Sequence, residues 1–163
     1  MKFALKFSCD DLWSNPVHEP AMKIECPLPD DLFSEQWAER FVRLWNGDEG
    51  LVSSLADKGF CAVVAFGLTD EPLPRCHFEI ERGNLGRIGA GGRQPDWDVR
   101  ATPDRWAAWL EHPPGLLSIG MAYASSELQF FRGDYITMIK DPAMAGPFVK
   151  CLELVSRSCR RGS

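Results

Sequence analysis

Several things are missing from this chain, and each absence removes a class of protein. No C-x-x-C pair and no Cys/His spacing suited to zinc occurs among six cysteines and three histidines. A structural zinc site or a redox dithiol is therefore not indicated. No apolar run reaches the ~18 residues of a membrane span. There is no G-x-S-x-G and no G-x-x-x-x-G-K-[ST], which removes two common catalytic signatures. Basic charge is scarce. The net charge is −5, and the only basic cluster, Arg157, Arg160 and Arg161, is a short tail. A nucleic-acid binder carries a basic face, and none is visible. Tyrosine is also rare, with two Tyr beside ten Phe and six Trp. The large side chains are thus weakly polar, suited to a core or an aromatic-lined cavity.

The N-terminal stretch MKFALKFSC looks at first like a secretory leader. Lys6 interrupts its apolar run, which is far shorter than a leader requires. The alternation Phe3, Leu5, Phe7, Cys9 fits a half-buried strand. A soluble, cytoplasmic protein with reduced cysteines is expected. Cys61 and Cys76 fall in apolar strand-like runs, where free Cys acts as a small hydrophobe.

Prolines at 16, 20, 27 and 29 mark residues 10–30 as loop. Phe33, Trp37, Phe41, Leu44 and Trp45 then recur at helical spacing, with Ser34 or Asp31 as a start signal and Asn46-Gly47 as a stop. A shorter helix capped by Asp48 carries Leu51, Val52 and Leu55. The run 59–70 reads as a buried strand. Residues 75–83 alternate, with Cys76, Phe78 and Ile80 on one face and His77, Glu79 and Glu81 on the other. After the Gly83-Asn84 turn a third strand is expected over LGRIGAGG, and a fourth over 96–102. The Gly-rich run lacks the strand-to-helix context of a phosphate loop. Thr102-Pro103 opens a helix with a capping hydroxyl and Pro at its first position. A short helix over PGLLSIGMAYA and a last strand over SELQFFRG follow.

Arg132-Gly133-Asp134 matches a cell-adhesion tripeptide, but its setting predicts something else. Gly133 ends a strand where positive φ is needed, and Asp134 caps the helix that starts at Tyr135. Asp141-Pro142 repeats the start signal for a final helix with Phe148, Leu152 and Val155 on its apolar stripe. The order is helix, helix, three-strand meander, strand, helix, strand, helix. With helices at the ends and in one crossover, the class is α+β.

Little in the sequence suggests catalysis. Asp96 and Asp98 share one face of a strand, as do Glu79 and Glu81, and both pairs read as solvated edges. His77 reads as an exposed strand residue and His112 as a helix-end residue. What stands out is apolar material in the last third, including Met121, Phe130, Phe131, Tyr135, Met138, Met144 and Phe148. Methionine adapts to irregular apolar partners, so a core or a ligand cavity is expected there.

Taken together, Trp45-Asn46, Asp98-Val99, Thr102 with Trp106, and Gly133-Asp134, in this order and spacing, make the chain resemble the sterol carrier protein 2 family, in its bacterial single-domain form. The likeness runs over about residues 32–156. It implies a five-stranded sheet (a three-strand meander, a crossover, two further strands) with helices packed on it and a hydrophobic tunnel between sheet and C-terminal helices. Where the family commonly carries Gly near the start of the last strand, this chain has Ser126 or a neighbour. The implied division is an N-terminal extension over 1–30 with one candidate strand, the sterol carrier-like domain over 31–157, and a basic tail over 158–163.

The implied function is carriage of an apolar small molecule (fatty acyl, sterol-like or aromatic) without catalysis, metal or cofactor. Trp106, Trp109, Met121, Phe131, Tyr135, Met138 and Phe148 are the expected tunnel wall. The alternative is an accessory subunit that docks a larger enzyme, or a second copy of itself, through the same apolar surface. A third, weaker reading makes Asp96, Asp98 or Glu79 an acid or base in an enzyme.

Overall fold

The computed structural model describes residues 28–87 and 93–159. The expected strand at 3–9, the glycine-rich stretch 88–92 and the last four residues lie outside the described part. Eleven elements follow one another: α1 (Glu35–Asn46), α2 (Glu49–Asp57), β1 (Ala62–Leu68), β2 (Cys76–Glu81), β3 (Asn84–Arg87), β4 (Trp97–Ala101), α3 (Pro103–Glu111), α4 (Leu116–Ala124), β5 (Leu128–Arg132), α5 (Tyr135–Lys140) and α6 (Pro142–Cys159). This is the expected α+β order.

Most helices begin where side chains can satisfy their free N–H groups. Ser34 Oγ accepts from the Trp37 N–H at 3.2 Å. Asp48 serves Leu51, Thr102 serves Arg105, and Asp134 serves Ile136 in the same way. Asp31 does not cap α1. Its carboxylate pairs instead with Arg40 at 2.6 Å. The Arg-Gly-Asp tripeptide is the expected strand stop and helix cap, with Gly133 at φ +84. The hydroxyl of Thr137 and then the N–H groups of Ile136 and Thr137 hold the Asp134 carboxyl below its usual range.

The five strands form one sheet in the order β3-β2-β1-β4-β5. β1, β2 and β3 are an antiparallel meander, β4 runs parallel to β1, and β5 returns antiparallel beside β4. The crossover falls between the meander and the last two strands, as the resemblance implies, while the helix expected in a crossover stands elsewhere. The helices α3 and α4 connect β4 to β5, which are antiparallel neighbours. The jump to a parallel strand is made between β3 and β4, and its described residues 93–96 contain no helix.

One face of the sheet carries the helices. Phe66, Phe78, Ile80 and Val99 point into a core closed by Trp37, Phe41 and Trp45 of α1 and by α6, which packs on α1, α2, α3 and α5. Phe33 sits at φ +64, a backbone conformation that costs a side-chain-bearing residue about 1–2 kcal/mol. Aromatic packing offsets this. Its ring is edge-on to Trp37 at 5.0 Å and to Trp106 at 5.2 Å, and parallel to Phe66 at 6.1 Å. Ser126, just before β5, is also left-handed at φ +61.

The opposite face holds the main departure from the sequence reading. Asp98 is not on a solvated edge. It is 5% exposed, and Arg100, two residues along on the same face, is 4% exposed. Arg100 Nε and Nη2 donate to the two carboxylate oxygens at 2.8 and 2.7 Å. Its Nη1 donates to the Glu71 carbonyl at 2.6 Å, tying the β1–β2 loop to β4. The Phe131 ring lies 4.2 Å from the guanidinium, a cation–π contact. Burying a charge is tolerable only when it is paired and hydrogen-bonded. Alternation alone does not reveal that both partners are covered. Cys61 is likewise not a core hydrophobe: it is exposed just ahead of β1, and its Sγ accepts from the Arg82 N–H.

Removing one partner of a buried pair leaves the other charge unmatched, at about 3–5 kcal/mol. Arg100→Met is expected to lower stability by that amount in urea unfolding. The double variant Asp98→Leu/Arg100→Met should recover most of the loss. Equal costs for the single and double variants would show that the pair is not the origin of the effect.

Candidate functional site

Between the inner face of the sheet and α5–α6 lies an apolar cavity of about 60 Å³. Its floor is Val64 and Phe66 of β1, Phe78 and Ile80 of β2, Leu85 of β3, Trp97 and Val99 of β4, and Phe130 of β5. One wall comes from α1, the end of α2 and the loop after it, through Phe41, Trp45, Leu55 and Phe60. The other is Met138 of α5 with Met144, Pro147, Phe148 and Cys151 of α6. Period-two alternation puts Phe78/Ile80 and Trp97/Val99 on this face. Helical spacing brings Met144, Phe148 and Cys151 onto one side of α6.

No charged side chain lines this space. The indole N–H of Trp45 is spent on the Gly83 carbonyl at 2.8 Å. Burial pushes the Cys151 thiol up to about 12, so it stays neutral. Nothing in the wall can pair with an ion inside. The walls are also adaptable. Met138 and Met144 are unbranched and polarizable, and Pro147 within α6 removes one helical hydrogen bond beside the cavity.

Phe130 connects the cavity to the far end of the sheet. Its ring contacts Trp97 at 6.1 Å, Tyr123 at 6.3 Å, Tyr135 at 5.6 Å and Phe148 at 5.8 Å. Tyr135 itself stacks on Tyr123 at 4.1 Å. Burial and then the Tyr123 phenol raise its pKa.

Of the seven residues expected to line a tunnel, the structure brings two together at the cavity, Met138 and Phe148. Tyr135 stands behind the wall in the Phe130 cluster. Trp106 lies in the aromatic core beside Phe33 and Phe66, its Nε1 donating to the Gly67 carbonyl at 3.0 Å, and Trp109 is buried edge-on to it at 5.6 Å. Met121 is 64% exposed on α4. Phe131 faces the other side of the sheet, over Arg100. The apolar excess of the last third marks only part of the lining, since Phe41, Trp45, Phe66, Phe78, Trp97 and Val99 come from the first two thirds. Phe78 alternates inward and Phe41 and Trp45 recur at helical spacing, but an inward aromatic reads equally as core.

The three carboxylates of the enzyme reading are engaged elsewhere. Asp98 is forked by Arg100. Asp96 Oδ2 accepts from the Val63 N–H at 2.8 Å, and Glu79 pairs with Arg93 at 2.6 Å. Among the described residues no group of three or more His, Cys, Asp or Glu is placed to hold a metal ion. None of the described helices is long and apolar enough to cross a membrane.

No protein-family model matches this sequence, and no curated protein matches it either. Solved structures do match. One is a conserved hypothetical protein of Thermus thermophilus, a suggested sterol carrier protein. It is 17% identical at a TM-score of 0.59, over 81% of this chain and 92% of that one. Another is a crystal structure of sterol carrier protein 2, 19% identical at a TM-score of 0.55, over 77% of this chain and 97% of that one. The chain therefore has the sterol carrier protein 2 fold, the architecture its sequence resembles.

Gly133 links the helix cap to the cavity floor. A Cβ there would lie 2.4 Å from the Trp97 ring, on a backbone already at positive φ. Gly133→Ala is expected to lose roughly 2–4 kcal/mol, combining the left-handed penalty with overpacking. Urea unfolding with near-ultraviolet circular dichroism checks this. An unchanged midpoint with an unchanged aromatic spectrum would mean that Trp97 is not held by this glycine.

Proposed function

We propose that the protein binds and carries an apolar small molecule in the cavity between the sheet and α5–α6, without chemical change to it. The supporting observation is the wall itself, which combines aromatic rings, aliphatic side chains and methionines with no ionised group. Such a wall draws affinity from burial, at about 0.8 kcal/mol per CH₂, and offers no ionised acid, base or thiolate, since burial keeps the Cys151 thiol neutral. Fatty acyl, sterol-like and aromatic molecules all meet this requirement. Met138 and Phe148 act in the wall together with Phe66, Phe130 and Met144. At about 60 Å³ the space is smaller than the ~150 Å³ cavity that holds benzene in an engineered protein. A chain-like ligand enters as Met138, Met144 and the start of α6 move outward.

Filling the cavity tests this directly. Met144→Trp is expected to weaken binding of a fluorescent fatty acid by about tenfold or more, at a stability cost within ~1–3 kcal/mol. Native mass spectrometry should lose any co-purified apolar adduct in the same variant. Unchanged affinity would place the ligand elsewhere or remove the carrier reading.

A second reading is favoured by a separate observation. Leu116, Leu117 and Met121 are exposed together on α4, in a stretch with no charged residue from 113 to 126. Such a patch suits a docking face for an enzyme partner or a second copy. It predicts a stoichiometric complex that Leu117→Glu/Met121→Glu dissolves, with no probe uptake by the cavity. A lone monomer carrying probe in its cavity would remove it.

A further inference from the structure

The cavity has no internal charge, so a charged end of any ligand must remain at its rim. One ion pair joins the two chain segments that carry the opposing walls. Lys58 follows the end of α2, between the lining residues Leu55 and Phe60. Asp141 stands at the α5–α6 junction, between the lining residues Met138 and Met144. Lys58 Nζ lies 2.5 Å from Asp141 Oδ2, with both side chains partly exposed at 35% and 42%.

This pair is built to exchange. An exposed ion pair contributes little to stability. Asp141 also has a second task that does not need Lys58, since its Oδ1 accepts from the Ala143 N–H at 3.0 Å and its backbone carbonyl accepts from Met144 and Ala145. The Asp141 carboxyl is held below its usual range by the Lys58 ammonium and then by the Ala143 N–H. If Lys58 leaves, the carboxylate keeps its place at the positive end of α6 and its contact with water. The other α2–α6 ion pair differs. Lys150 is shared between Asp48 and Glu153, and Asp48 Oδ1 caps α2.

We propose that Lys58 is the head-group contact of the cavity's ligand, and that Asp141 holds its ammonium until the carboxylate of an anionic single-chain amphiphile takes Asp141's place. This rests on the carrier reading above. The exchange replaces one carboxylate by another on the same ammonium, so no charge is left unpaired. It also releases a tie between the segment after α2 and the α5–α6 junction, both of which carry wall residues.

The test compares two ligands with the same tail, palmitate and 1-hexadecanol, each displacing the neutral fluorophore N-phenyl-1-naphthylamine from the full chain. The expected result is a preference for palmitate. Lys58→Met raises the palmitate Kd by about tenfold and leaves hexadecanol unchanged. Asp141→Asn, which keeps a capping side chain, tightens palmitate several-fold by freeing Lys58. Lys150→Met, a control of equal charge change, alters neither ligand. An unchanged palmitate-to-hexadecanol ratio in Lys58→Met overturns the head-group contact while leaving the carrier reading standing. Failure of both ligands and the fluorophore to bind the wild-type chain overturns both.

Discussion

The packing around Phe66 is the interaction on which the rest depends. It sits on β1, the central strand, with neighbours on both edges. Its ring is parallel to Phe33, edge-on to Phe41 at 6.1 Å and to Trp106 at 6.5 Å, and tilted against Phe78 at 6.2 Å. These contacts join α1, the loop before it, two strands and α3 around one side chain. Aromatic pairs in such geometries contribute about 0.5–1.5 kcal/mol each beyond their buried area. That surplus lets Phe33 keep its left-handed backbone. Phe41, Phe66 and Phe78 also form part of the cavity lining. The same rings are therefore solid core on one side and binding wall on the other.

This division explains why the cavity lies where it does. Toward α3 and the loop before α1 the Trp and Phe rings pack directly on one another. Toward α5 and α6 the fillers are Met138, Met144, Pro147 and Cys151, which are flexible, helix-weakening or small. Protein interiors are packed densely enough that a void persists only where side chains cannot close it. Here the rigid side of the core sets the shape, and the adaptable side supplies the volume. The Lys58–Asp141 pair falls on the adaptable side, joining the end of α2 to the α5–α6 junction.

The other face of the sheet follows a different logic. Arg100 is buried and must be paired, so Asp98, the Glu71 carbonyl and the Phe131 ring are all drawn to it. This fixes the β1–β2 loop and β4 to one another without touching the cavity. Phe131 is thereby committed to a structural contact, while its neighbour Phe130, pointing the other way by strand alternation, is a hub of the binding wall. One residue of register separates the two roles.

The sequence by itself determined the elements and their ends. Ser34, Asp48, Thr102 and Asp134 cap helices because their side chains reach N–H groups two or three residues away. Gly133 ends a strand because positive φ suits it. The apolar stripes of α1 and α6 point inward because their spacing matches the helical turn. All of these are local effects, carried by neighbours in the chain. The resemblance to a known fold was legible for the same reason, as an ordered series of local signals. Only the tertiary structure decided which inward aromatics are core and which are wall, since Trp106 and Phe148 have the same local pattern and differ in what packs against them. It also decided that Asp98 is buried with Arg100, that the wall draws on Phe41, Phe78 and Trp97, and that Lys58 meets Asp141 across 83 residues of chain. Such pairings join residues far apart in the chain, and helical or strand periodicity reports only the face a residue takes.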